Sequence, residues 1–369
     1  MHVSTQMRVD RIRHAWAQAF TIPTDAPESD GTFEWESTTL IVAQVEAGGE
    51  IGIGYSYASA SAAAFFNEVL ASEILGREPH AIPAIRSAML RKVRNEGRAG
   101  IASAALSAAD VALWDLKSKL LNVSLIRILG AAQEEIRIYG SGGFTSYSIE
   151  RLQKQLGGWA TSGFRSVKMK VGRDPGRDCA RVRAAREAIG PSCELYVDAN
   201  GAYSVKQALA LAHRFQVNEV SWFEEPVSSD DLRGLRSLHE MVPPGMRIAA
   251  GEYGYDLFYF QRMLQAGAVD VLQVDATRCG GVSGFLEAEA LCRAYNRPLS
   301  AHTAPTLHSI LCCSSPVAEN VEYFHDHARI ENILFRGAPV PTNGMLRPDP
   351  DRPGLGIELL EGEAFRLAA

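Results

Sequence analysis

The sequence predicts an α/β protein: a (β/α)8 TIM-like barrel, preceded by a small α+β domain and finished by a C-terminal tail that returns to that domain. Three observations carry the prediction. From about residue 134, eight short strand-like segments alternate with helical ones. The first hundred or so residues lack that rhythm and read as a β-hairpin followed by helices. Finally, YVDAN at 196–200, FEEP at 223–226 and AGE at 250–252 each place a carboxylate where a strand would end.

At 369 residues the chain exceeds the usual size of one core. We divide it into residues 1–130, 131–340 and 341–369. A net charge of −6 with no Lys/Arg-rich block excludes nucleic acid and anionic membranes as expected partners. No apolar run approaches the roughly 18–20 residues of a membrane span. The first residues, MHVSTQMRVDRIRHAW, lack the apolar core of a signal peptide. Cysteines 179, 193, 279, 292, 312 and 313 form no CxxC pair, so reduced and mostly buried thiols in a cytoplasmic protein are expected.

TTLIVAQVEAGGEIGIGYSY (38–57) reads as two strands joined at a Gly-Gly turn. IPTDAPESDGTFEWES before it has the composition of a loop. Three helical patterns follow, the last a long Ala-rich run, IASAALSAADVALWDLKSKLLNVSL. The eight strand candidates are EIRIYGSGG, SVKMKVG, ELYVDANG, VSWFEEP, RIAAGE, VDVLQVDATRCGG, PLSAHTA and VEYF. Strict β/α alternation implies a parallel sheet, and eight rounds favour closure. An open doubly wound sheet is the alternative, but the GxGxxG turn it would carry after its first strand is missing. The Pro/Gly-rich tail after 340 is expected to leave the barrel and pack on the N-terminal domain.

Asp198, Glu224 and Glu252 are separated by 26 and 28 residues, the length of one strand, one helix and two loops. Three successive βα units would thus bring three carboxylates to one mouth. Oxygen-only ligation suits a hard dication, Mg2+ first. Each acid alone reads equally as an N-cap or solvated loop residue; three in register do not. Lys168 and Lys170 alternate with Met169, so both ammonium groups would point inward. A lysine crowded by a second cation and desolvated has a lowered pKa and can serve as a base. Asp275 and His302 end neighbouring strands, where the acid would orient the imidazole. Glu322 in the last strand reads either as a salt-bridged acid or as a protonated donor to a substrate oxygen. His308, His325 and His327 read as structural.

Together these motifs resemble the enolase superfamily, in its mandelate racemase subgroup, over nearly the whole length. The resemblance rests on AALSAADVALWDLKSKLL at 104–121, KMK at 168–170, DAN at 198–200, EEP at 224–226, GE at 251–252, DATRCGG at 275–281 and His302, in that order. It implies Mg2+ held by Asp198, Glu224 and Glu252. Lys170 would be the base on one face, and His302, paired with Asp275, the acid/base on the other. Lys168 and Glu322 would help neutralise a substrate carboxylate, with Asn200 in contact. Asp275 and Arg278 stand where the muconate-lactonizing type has a lysine. Arg278 keeps the charge that the family often supplies as lysine, with different reach. The N-terminal domain would be a cap, closing the site with loops near 21–35 and 52–60. Asp25, Glu28, Asp30, Trp35, Tyr55 and Tyr57 in those loops would shape specificity or simply face solvent.

The expected activity is removal of the α-proton of a hydroxycarboxylate through an enediolate, with dehydration of a sugar acid to a 2-keto-3-deoxy acid as the leading outcome. Racemisation or epimerisation of an α-hydroxy acid such as mandelate uses the same residues and is the alternative. A non-catalytic ligand-binding barrel would have no reason to hold two opposed bases around a metal site. The resemblance also implies a homo-oligomer.

Overall fold

The computed structural model describes residues 10–360, 362 and 367. The expectations for a leader at residues 1–9 and for most of the tail beyond 360 lie outside the described residues. The N-terminal domain is built on an antiparallel sheet of β1 (His14–Ser29), β2 (Glu34–Ala47) and β3 (Glu50–Tyr57). Gly48 and Gly49, at φ of +61° and +83°, form the tight turn between β2 and β3 that the Gly-Gly signal predicts.

Residues 22–37 depart from the expected loop. β1 and β2 run through them as a long hairpin arm whose register shifts between Pro23 and Glu28. The shift accommodates Pro23 and Pro27, which cannot donate to the ladder. The polar composition of the arm reflects a ribbon with much of its surface in water rather than an irregular loop.

α1 (Ala60–Phe65), a π-helical turn (Phe66–Leu70), α2 (Ala71–Ile74), α3 (Ile82–Lys92), α4 (Ile101–Leu120) and α5 (Leu125–Leu129) complete this domain. The Ala-rich α4 is buried along most of its length because it lies between the sheet and the barrel. Small side chains permit that closeness: a Cβ at Gly54 of β3 would stand 2.1 Å from the Ala108 carbonyl oxygen. The other side of α4 bonds to barrel loops. Ser103 Oγ donates to the Arg278 carbonyl, the Gly280 amide donates to Ser107 Oγ at 2.8 Å, and Asp110 accepts from the Ser283 amide and hydroxyl at 2.9 and 2.7 Å.

The barrel strands are β4 (Ile136–Gly142), β5 (Ser166–Lys170), β6 (Glu194–Asp198), β7 (Val220–Glu224), β8 (Arg247–Ala250), β9 (Val271–Val274), β10 (Leu299–Ala301) and β11 (Ala318–Phe324). They alternate with α6 (Ile149–Thr161), α7 (Pro175–Ile189), α8 (Val205–Gln216), α9 (Leu232–Met241), α10 (Leu257–Gln265), α11 (Gly281–Ala294) and α12 (Pro305–Ser314). α13 (His325–Leu334) follows β11. Neighbouring strands pair in sequence order, and β11 pairs in parallel with β4, Val321 opposite Ile138, so the eight-stranded sheet closes. The open-sheet alternative is thereby excluded. Tyr139, Tyr196 and Trp222, with Ala249 and Val271, fill the barrel beneath the strand ends. Tyr196 and Trp222 stack there with centroids 5.0 Å apart.

In the tail, β12 (Phe335–Arg336) pairs with β14 (Glu358–Leu359), and β13 (Met345–Leu346) adds antiparallel to β4. Asp115 of α4 accepts from the amides of Leu355 and Ile53 at 2.6 and 2.7 Å, tying the tail and β3 to one helix. All six cysteines are free thiols, and no helix among the described residues is long and apolar enough to cross a membrane.

Asp110 makes the α4–barrel junction sensitive to pH. Burial pushes its carboxyl up to about 6 from an ordinary 3.8, against the lowering effect of the Ser283 hydrogen bonds and Arg86. A raised carboxyl pKa means that its stabilising contribution is complete below the unfolded value and is lost as pH rises through about 6. Denaturation of wild type and Asp110→Asn at a series of pH values should show the variant gaining relative stability between pH 4 and 7, by up to about 3 kcal/mol.

Candidate active site

Period-2 alternation sends Asp198 and Glu224 inward at the ends of β6 and β7, each two residues beyond a floor aromatic, Tyr196 or Trp222. Glu252 follows β8 by way of Gly251, whose φ is +136°. A Cβ there would lie 2.2 Å from the Gln273 carbonyl oxygen, so only glycine permits this turn into the mouth. The three carboxylates are buried, and each places an oxygen within 4.8 Å of the others. Trp222 Nε1 and Gln273 Nε2 both donate to Glu224 Oε2, at 3.0 and 2.9 Å, and hold it from below.

Four basic groups surround the triad. Lys170 Nζ lies 2.5 Å from Asp198 Oδ2. Lys168 bonds Glu224 and lies 2.8 Å from Glu322 Oε1. His302 places Nδ1 2.8 Å from Asp275 Oδ2 and Nε2 3.1 Å from Glu252 Oε2. Arg278 reaches Glu252 Oε1 at 3.4 Å and Asp275 Oδ2 at 3.5 Å. Against these four stand six buried carboxylates: Asp198, Glu224, Glu225, Glu252, Asp275 and Glu322. Burial and neighbouring acids push Glu224 and Glu225 upward, a direct consequence of that excess. The donor set is all oxygen, and its shortfall is two positive charges. Both features fit a hard dication such as Mg2+ held by Asp198, Glu224 and Glu252.

The expected lowering of the Lys170 pKa is not what the structure shows. Burial and Lys168 do act in that direction, but the charge of Asp198, joined by Glu252 and Glu322, outweighs them and raises it. The neighbouring lysine is visible along one strand, whereas the acids opposite come from other strands. His302 is likewise raised, to about 10: burial favours the neutral ring, but Glu252, Asp275 and Glu322 hold the proton. Burial would also raise Glu322, but Lys168, His302 and Lys170 bring it below the usual carboxylate range. Its 2.8 Å contact with Lys168 Nζ fits the salt-bridged reading. Glu322 also accepts from Ser141 Oγ at 2.6 Å and from the Thr303 amide at 3.1 Å.

A cavity of about 490 Å³ opens at the barrel mouth, with Glu252 the member of the triad that lines it. Lys170, Asn200, Glu252, Arg278 and His302 line it, whereas Lys168 and Glu322 are buried outside its lining. Asn200 takes φ of +46°, donates its amide to Asp198 Oδ1 at 2.8 Å and keeps a buried side-chain oxygen without a partner. From the cap, Asp30, Trp35 and Tyr57 reach the cavity. Asp25, Glu28 and Tyr55 do not. Asp25 pairs with Arg151 and His325, Glu28 accepts from Trp35 Nε1 at 3.0 Å, and the Tyr55 hydroxyl donates to Glu331 at 2.8 Å.

Sequence reasoning missed several residues here. Trp222 and Gln273 precede Glu224 and Asp275 by two positions on buried strands, and a polar group at that spacing was an available signal. Glu225, the second acid of FEEP, sits at φ of +37° with Oε1 buried and unpartnered. Thr303 and Ala304 are both left-handed, at φ of +54° and +40°, and nothing in their residue types announces it. His308 is structural as expected: it accepts from the Ala276 amide at 2.9 Å and bonds the Thr303 carbonyl at 2.7 Å. His327 lines the cavity.

Comparison with known proteins supplies independent findings. Residues 151–363 match the family model "Enolase C-terminal domain-like", and residues 23–130 match "Mandelate racemase / muconate lactonizing enzyme, N-terminal domain". A mandelate racemase/muconate lactonizing enzyme-like protein from Rubrobacter xylanophilus superposes with a TM-score of 0.95 at 50% identity, over 97% of this chain and 100% of that one. A 3,6-anhydro-alpha-L-galactonate cycloisomerase from Streptomyces coelicolor is 32% identical, over 89% of this chain and 91% of its own. An L-talarate/galactarate dehydratase from Salmonella typhimurium LT2 superposes with a TM-score of 0.91 at 28% identity, over 98% of this chain and 93% of that one, and so does a mutant of an L-talarate/galactarate dehydratase solved with Mg and L-glucarate.

Calorimetric titration checks the charge deficit directly. Wild type should bind Mg2+ and melt at a higher temperature with it, gaining about 3 kcal/mol when the free ion is near 100-fold above its dissociation constant. Asp198→Asn and Glu252→Gln should each remove most of that gain.

Proposed function

Because the chain belongs to the mandelate racemase/muconate lactonizing enzyme family of the enolase superfamily, we propose that it removes the α-proton of a hydroxycarboxylate and eliminates water from it. The favoured substrate is a sugar acid and the product a 2-keto-3-deoxy acid. The observation that carries this reading is the placement of Lys170 and His302. They end β5 and β10, on opposite sides of the ring, with the triad strands β6, β7 and β8 between them. Both side chains line the one cavity.

Asp198, Glu224 and Glu252 would hold Mg2+, which when bound would supply positive charge for the developing oxyanion and offset the Asp198 charge that keeps the proton on Lys170. Lys170, once neutral, takes the α-proton with its Nζ lone pair, and the C–H electrons pass to the substrate carboxylate. Asp275 accepts from His302 Nδ1 and orients the ring. His302, protonated through the acids around it, gives its Nε2 proton to the hydroxyl on Cβ. The C–O bond breaks, water leaves, and the enol tautomerises to the 2-keto acid.

The dehydratase relative fits this outcome. Racemisation stays as the second reading because two opposed basic groups can exchange a proton across the faces, and an acid with nothing to expel at Cβ would follow that course.

Proton NMR in D2O with Mg2+ and a panel of sugar acids and simple α-hydroxy acids separates these. Exchange accompanied by a 2-keto product supports dehydration, and exchange with loss of optical activity supports racemisation. Absence of exchange from every acid would sink the enzyme reading. His302→Asn should lose product formation by at least about a hundredfold while Lys170 still exchanges the proton on its own face; unchanged exchange from both epimers would refute the two-base assignment.

A further inference from the structure

The cavity is electrostatically lopsided. The cations lining it are Lys170 and His302 at strand ends and Arg278 in the loop after β9, all within ion-pair distance of Asp198, Glu252 or Asp275. The wall contributed by the cap hairpin and β3 has a different character. Its lining residues carry hydroxyls, as at Ser37, Thr38 and Tyr57, and aromatic rings, as at Phe33 and Trp35. No lysine or arginine lines that wall among the described residues, and its one charged residue is an acid, Asp30. Arginines that contact the hairpin arm are committed elsewhere: Arg173 pairs with Glu34 and does not line the cavity. Arg151 pairs with Asp25 over the Tyr147 ring, and Arg329 pairs with Asp326 and the Pro23 carbonyl. Neither lines the cavity.

His327 faces the same cavity from the first turn of α13. Its ring lies parallel to Tyr57, centroids 3.3 Å apart, and meets Phe324 edge-on at 5.0 Å. Nδ1 is buried and has no hydrogen-bond partner. A neutral imidazole offers one donor and one acceptor, the complement of an alcohol hydroxyl. Burial, assisted by the charge of His302, keeps this ring neutral, so it offers no counter-charge to an anion.

Resting on the proposed function above, we propose that the substrate is a mono-acid of the aldonate type, and that His327 is a specificity-determining residue that hydrogen-bonds a hydroxyl of its uncharged tail. The single carboxylate goes to the barrel end, where Lys170, Arg278 and His302 line the cavity and the triad would hold Mg2+. The polyhydroxylated tail lies against hydroxyls and rings of the cap. A second carboxylate at the far end, as in an aldarate, would meet Asp30 and no cation, losing water without gaining a partner.

The test is α-proton exchange and 2-keto product formation with Mg2+ and matched aldonates and aldarates of five and six carbons. Aldonates should be used with kcat/KM at least about tenfold above that of the matching aldarates, which corresponds to one uncompensated polar contact. His327→Phe should raise KM for the preferred aldonate more than it lowers kcat, and His327→Gln, which keeps a donor and an acceptor, should recover most of that loss. Ser37→Arg, adding a guanidinium to the exposed part of the cap wall, should narrow the gap between aldarate and aldonate. Equal or better use of aldarates by wild type would overturn the substrate class while leaving the enzyme reading intact. Unchanged KM in His327→Phe would overturn the role of His327, and unchanged discrimination in Ser37→Arg would overturn the placement of the tail. No exchange with any acid would overturn the enzyme reading and this inference with it.

Discussion

The excess of buried carboxylate over buried cation at the barrel mouth is the constraint on which the rest depends. Six acids share one desolvated space with four basic groups. Taking charged groups out of water is expensive unless each finds a partner, and an unbalanced cluster must bind a proton or a cation. The barrel supplies the partners. Trp222, Gln273 and Ser141 donate from beneath or beside, and Lys168 sits entirely inside, shared between Glu224 and Glu322. Lys168 thus balances charge within the floor, while Lys170, two residues on, reaches the open cavity. Alternation along one strand divides counter-charge from chemistry.

The cap is more than a cover. α4 bonds to the loop after β9 through Ser103 and Ser107, and to the first turn of α11 through Asp110. That loop begins with Asp275 and Arg278, so the N-terminal domain fixes the backbone on which the partner of His302 is carried. On the far side, Tyr55 reaches across to Glu331 and accepts from the Leu307 amide at 3.1 Å. The rigid part of the cap therefore braces the loops that follow β9 and β10, and the hairpin arm is left to line the cavity. Substitutions in buried α4 would reach catalysis through loop position, with no substrate contact of their own.

The barrel was legible in the sequence because each βα unit is local: eight apolar runs, each with its helix, are visible before any long-range contact is known. The clustering of the three carboxylates was legible for the same reason, since the spacing of Asp198, Glu224 and Glu252 is the length of one unit. Two kinds of feature were not. The hairpin arm over 22–37 looks like loop because its pairing partner, rather than its own composition, makes it a strand. The direction of the Lys170 pKa depends on acids brought from β6, β8 and β11, so it appears only once the ring closes. Local periodicity announces elements and spacing; net charge in a buried cluster is a property of the closed fold.

His302 shows how closure decides chemistry. As an isolated side chain it would titrate near neutrality and serve equally as base or acid. In the ring it touches Glu252 through Nε2 and Asp275 through Nδ1, with Glu322 3.7 Å from Nε2, and those three acids hold its proton. A histidine so placed starts as an acid, and a group that starts as an acid is suited to expelling a leaving group. Racemisation needs the same ring to start from the opposite state on one of its two directions. Under the proposed function, the contacts of His302 with Asp275 and Glu252 suit it to give a proton to a leaving hydroxyl, and the cap would select which hydroxylated tail is carried to it.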